Sequence, residues 1–155
     1  VFESTFREEA ELDLFAEQVI WAGLVSWFLE CFEMGVESGF SPELMVMELY
    51  ASGEASEILG AMAKNGFFKQ MSHHSTTSQY GTLSRGPDLI TDEMRRKAKR
   101  NLIEDVKGGK FAKEWSDEQA GGSKRLAELR KKALEHPMSL AEDRVIEMIR
   151  SAHSL

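Results

Sequence analysis

The sequence predicts an all-helical fold, and three observations predict it. Apolar residues recur at helical spacing, no stretch alternates with period two, and glycine or capping signals divide the chain into long segments. Only three prolines occur among 155 residues, which suits few, long elements. With 42% hydrophobic and 29% charged residues, the composition is that of a soluble globular protein. The length suffices for one helical domain, residues 1–155, with its own core. A formal net charge of −7 weighs against a nucleic-acid partner, because binders of the phosphate backbone are normally basic.

The acids Glu8, Glu9 and Glu11 read as a lead-in to a first helix running from about Asp13 to Val36. Its apolar residues, from Val19 and Trp21 to Cys31 and Phe32, cover nearly every side. A helix apolar all round lies in a large core or is wrapped by a partner, so a homodimer enclosing it is expected. Ser41-Pro42-Glu43 is a helix start: a capping hydroxyl, proline at the first position, then an acid. That second helix reaches about Lys64 but is interrupted at Gly53. Glycine costs about 1 kcal/mol in a helix interior, so a break falls near Ala51 to Glu54. Asn65-Gly66 stops the helix, and Phe67, Phe68 and Met71 belong to a short third one. Thr91-Asp92-Glu93 opens a helix to about Lys107, and Gly108-Gly109 ends it. A helix from Lys110 to Gln119 follows, then one capped by Ser123 and ending near Leu134. Ser139-Leu140-Ala141-Glu142 has the form of a capping box for the last helix, to about Ala152. The basic runs Arg95–Arg100 and Lys124–Lys132 read as solvated faces.

Asp13 and Glu17 stand four residues apart at the head of the apolar helix. That spacing puts their Cβ atoms about 5–6 Å apart on one face. The repulsion is relieved in one of two ways. Either the acids sit in a solvated first turn, where the helix dipole favours them, or they hold a hard divalent ion such as Mg²⁺. A lone Cys31 makes no internal disulfide and fits a reducing cytoplasm; its place in the apolar pattern suggests a buried core thiol. His73 and His74, being neighbours, point apart on a helix and read as solvated or supporting residues rather than zinc ligands. The apolar run Val19–Leu29 has eleven residues, against about 20 for a membrane span, so no membrane partner is expected. No secretory leader is recognisable, and Val1 at the first position fits a domain excised from a longer chain.

Thr5-Phe6-Arg7-Glu8-Glu9 with Asp13-Leu14-Phe15-Ala16-Glu17-Gln18 resembles the junction in ketol-acid reductoisomerases between the nucleotide-binding and helical C-terminal domains. Four further segments follow in family order: Glu37–Glu43, Ser75–Gly81, Gly109–Glu114 and Glu135-His136-Pro137. The resemblance implies a knotted-type helical C-terminal domain that forms an intertwined homodimer. It implies Mg²⁺-dependent alkyl migration and NADPH reduction of acetolactate-type substrates, small 2-hydroxy-keto acids, in branched-chain amino acid biosynthesis. Asp13 and Glu17 would bind metal, Ser75 would contact substrate, and Glu48 would be the first of two metal-binding glutamates from the partner subunit.

Four departures from the family pattern bear on activity, one being Thr76 and Gln79 in place of the acidic positions that follow Ser75. The glutamate pair is Glu-x-x-x-Glu in the family, but Ser52 stands four residues after Glu48, leaving Glu54 as the candidate for the second metal ligand. On a regular helix the six-residue offset from Glu48 to Glu54 separates the side chains by roughly 120°, so only a bulge or break at Gly53 returns Glu54 to the site. Ala16 replaces a glycine within the first metal motif and adds a methyl beside it. No Gly-x-Gly-x-x-Gly follows a strand, so NADPH would be held by a nucleotide-binding domain outside these residues. A catalytically inactive relative, serving as a helical dimerisation or ligand-binding module, is the alternative reading.

Overall fold

In the computed structural model, which describes residues 3–152, every regular element is helical. The chain begins with α1, Phe6–Glu37, and continues through α2, Pro42–Val46, α3, Glu54–Asn65, and a 3-10 turn, Lys69–His73. Next come α4, Thr76–Leu89; α5, Asp92–Arg100; α6, Lys110–Ala120; α7, Lys124–Leu134; and α8, Pro137–Ala152. Three π-helical turns extend or interrupt these helices. They lie at Ala16–Trp21 inside α1, Met47–Ala51 after α2, and Asn101–Lys107 after α5.

Helix α1 starts well before Asp13, because Thr5 and Glu8 form a capping box. The Thr5 hydroxyl accepts from Glu8 N at 3.2 Å, and the Glu8 carboxylate accepts from Thr5 N at 3.0 Å. The acidic lead-in is therefore the first turns of the helix itself. Ser41 caps α2 as expected, accepting from Leu44 N at 3.2 Å, and the chain breaks at Gly53, as the sequence suggests. Two expected caps fail for identifiable reasons. Ser123 occupies the position before α7 but has φ 55° and makes no capping bond; the Glu118 carboxylate accepts from Leu126 N instead, at 2.9 Å. Ser139 lies inside α8, which begins at Pro137. Its hydroxyl donates to the Ala133 carbonyl at 3.3 Å, while His136 Nδ1 accepts from Met138 N at 3.1 Å.

The core gathers where α1, α2 and α8 meet. Phe32, Val46, Ala141 and Val145 are buried, and Val36, Met45, Met47 and Met138 pack around them. Gly35 allows the close approach of α1 and α2, since a Cβ there would meet the Met45 sulfur at 2.4 Å. Two polar clasps cross this junction. His136 Nε2–H donates to Glu33 at 3.0 Å, and Arg144 Nε donates to Glu43 at 2.6 Å. Cys31 is half-buried rather than fully enclosed, and burial pushes its thiol pKa up. The basic residues of α5 and α7 are exposed, as expected.

Much of α1 stays uncovered by its own chain. Trp21 is 51% exposed and Val25 69%, and among the described residues of α1 only Phe32 is buried. An 18-residue window in this helix has mean hydropathy 1.5, so by length and composition alone it could cross a bilayer. The eleven-residue apolar run expected from sequence understates this apolar stretch.

The Glu43 carboxyl is held below its ordinary pKa, first by its own backbone N–H at the start of α2 and then by Arg144. A depressed carboxylate pKa stabilises the fold above the unfolded value, and that contribution is lost as pH falls through the folded one. Glu43→Gln should therefore flatten the loss of thermal stability below about pH 4, as read by melting temperature across an acid series.

Candidate metal and substrate site

Asp13 lies in the last turn before the first π turn, and Glu17 lies within it. The extra residue of this turn is seen in its bonding, since the Ala22 N–H reaches the Glu17 carbonyl, five residues back. Such turns are rare and recur at functional sites. Both carboxylates are exposed, and among the described residues neither makes a hydrogen bond or an ion pair.

The helix around these acids is tied down on both sides. Before them, Glu11 accepts from Arg7 Nε at 2.7 Å and lies 3.8 Å from Lys107 Nζ. Arg7 chiefly holds the Glu11 carboxyl below its usual range, with a smaller contribution from Lys107. After them, Asn101 Nδ2 donates to Gln18 Oε1 at 2.8 Å and to Asp105 at 3.2 Å. Lys107 and Asn101 both belong to the third π turn.

Glu48 lies in the second π turn, where Ser52 N donates to the Met47 carbonyl at 3.1 Å. Gly53 then adopts φ 89°, and Glu54 starts α3. The break on which Glu54 depends is present. Both glutamates are exposed. Beside them the Tyr50 hydroxyl donates to Glu142; burial and that carboxylate push the tyrosine pKa well up. Tyr50 and Glu142 border a cleft of ≈ 440 Å³ shared with Val25, Phe28 and His136.

Ser75 is the cap of α4, its hydroxyl accepting from Ser78 N at 3.1 Å, which leaves the hydroxyl proton free to donate. The preceding turn is held by Gln70, only 3% exposed. Gln70 Oε1 accepts from His74 Nε2 at 2.7 Å, and Gln79 Nε2 donates to the His74 carbonyl at 2.9 Å. His74 thus supports the serine turn, whereas His73 is exposed and contacts Asn65.

Among the described residues of one chain, no group of three or more potential ligands gathers. Asp13 and Glu17 share a helix, but Glu48 and Glu54 do not join them in one cluster. Sequence reasoning missed Gln18, Asn101 and Gln70 as supports, although Gln18 stands in the quoted acidic motif.

The sequence profile described as "Ketol-acid reductoisomerase, C-terminal domain" matches residues 6–151. This chain belongs to that family. A Saccharolobus solfataricus protein named for the enzyme is 41% identical over 95% of this chain and 44% of its own length. A Pyrobaculum calidifontis protein named ketol-acid reductoisomerase (NADP(+)) is 40% identical over 89% of this chain and 42% of its own. A solved structure, an NADH-preferring ketol-acid reductoisomerase from an uncultured archaeon, superposes with TM-score 0.85 at 32% identity. It is matched over 94% of this chain and 44% of that one. The chain thus spans less than half the length of these relatives.

The left-handed backbone at Gly53 is what separates Glu48 from Glu54. An L side chain in that conformation costs roughly 1–2 kcal/mol. Gly53→Ala should lower unfolding stability by about that amount in a denaturant titration.

Proposed function

We propose that this chain is the metal- and substrate-binding, dimerising half of a ketol-acid reductoisomerase acting in branched-chain amino acid biosynthesis in the cytoplasm. Asp13 and Glu17 of one copy, with Glu48 and Glu54 of a second, would hold Mg²⁺. The supporting observation is the unpaired state of Asp13 and Glu17, two carboxylates on consecutive turns with no cation of their own. The donor set fits, being all hard oxygen with no thiolate. Bound Mg²⁺ would polarise the substrate oxygens and stabilise developing alkoxide charge.

The chain's own residues do the rest of the work in this half. Ser75 offers a hydroxyl proton to a 2-hydroxy-keto acid, and the Gln70–His74–Gln79 bonds hold its turn. A second copy laid on the exposed face of α1 would exclude water around the acids and strengthen every charge interaction there. NADPH would come from a nucleotide-binding domain outside these residues. Relatives named for NADP(+) and for NADH preference both match here, which suits nucleotide choice being made elsewhere in the protein.

One observation favours the second reading, a catalytically inactive dimerisation or ligand-binding module. Glu48 and Glu54 stand on separate helical segments rather than in the family's regular pair. The two readings separate in one calorimetric titration. The enzyme half should bind Mg²⁺ saturably, and Asp13→Ala or Glu17→Ala should weaken binding at least tenfold. A module should sediment as a dimer while Mg²⁺ leaves its melting temperature unchanged.

A further inference from the structure

We propose that Asn101 is a positioning residue for the Asp13–Glu17 metal pair, acting through Gln18; this rests on the metal reading given above. The pair lies between two attachments to one helical turn, Asn101–Lys107. Glu11 reaches Lys107 on one side, and Gln18, next in sequence to Glu17, reaches Asn101 on the other. The second attachment falls inside the π turn, Ala16–Trp21, in which the Glu17 carbonyl takes its bond from five residues on.

A single inserted residue corresponds to about 100° of helix rotation. If the π turn relaxed to regular α-helical bonding, the acids would swing by that order relative to the core-packed half of α1. Regular bonding is the default for the backbone, so something outside the turn has to hold it. The Gln18 side chain is the one from this turn that reaches a distant element by a hydrogen bond, 83 residues away in sequence. Its Nε2 is buried with no partner among the described residues, as is Asn101 Oδ1. Loss of Asn101 therefore leaves the half-buried Gln18 carboxamide with no bond to the Asn101–Lys107 segment, and with it goes the tie on this side of the acids. Asp105 holds the Asn101 amide at 3.2 Å and lies 3.4 Å from Lys110 Nζ, so the donor is itself oriented. Partners bonded directly to a ligand change metal affinity about 10–100-fold; Asn101 stands one connection further out, so the low end of that range is expected.

The test is Mg²⁺ calorimetry on the 155-residue chain as wild type, Asn101→Ala, Gln18→Met and the double variant, with melting temperatures taken without metal. Each single variant should raise the Mg²⁺ dissociation constant about tenfold, and the double no further, because the two residues act as one connection. A dissociation constant within twofold of wild type in both single variants overturns the inference, even if both melt earlier. So do losses that multiply in the double variant. If Asn101→Ala does not fold, Gln18→Met alone decides by the same criterion. Absence of saturable binding in the wild type would overturn the metal reading, and this inference with it.

Discussion

Everything in this structure depends on a helix with more apolar surface than its own chain covers. Helix α1 is 32 residues long, yet the buried core touches it mainly around Phe32 and Val36. Ile20, Trp21, Val25 and Trp27 remain between 44% and 69% exposed. Covering a large apolar side chain is worth about 1.5–3 kcal/mol, so these four together offer several kcal/mol. Association costs about 4–15 kcal/mol. A symmetric pair buries the set from both copies, which about doubles the gain and brings it into the range of that cost; a proposed second copy would add to it by covering other apolar residues, such as Phe67, Phe68, Leu83 and Ile90, which are all more than half exposed.

The same uncovered helix carries the acids, which links assembly to chemistry. Among the described residues of one chain, Asp13 and Glu17 have no countercharge and Glu48 and Glu54 lie outside their cluster. Two chains sharing an ion would meet both needs at once, and the π turns set where each acid points. The segment Asn101–Lys107, attached on either side of the acids at Glu11 and Gln18, would then support the proposed metal site without contributing a ligand.

Local chemistry made much of the fold legible. Ser41-Pro42, Gly53, Asn65-Gly66 and Gly108-Gly109 each mark a helix end by a capping bond or a backbone that only glycine adopts easily, and the structure ends its helices there. One misreading arose where a distant residue decides. Ser139 looks like a cap, but His136, tied to Glu33 about a hundred positions earlier, starts α8 at Pro137. Thr5 was hidden among acids that read as a charged lead-in. The acid pair was visible from its spacing and its family motif. The π turns were not, since no residue pattern separates them from ordinary helix, and the Gln18–Asn101 bond joins segments that sequence alone does not bring together.

In the proposed assembly one metal site is built from two copies of this chain. The most direct measurement is a titration with Mn²⁺ in place of Mg²⁺, following paramagnetic broadening of backbone amide signals. The account predicts that amides of residues 13–18 and 47–54 broaden together, at the same metal concentration, in a sample that sediments as a dimer. Broadening confined to one of those segments, or spread evenly over the acidic surface, would contradict it.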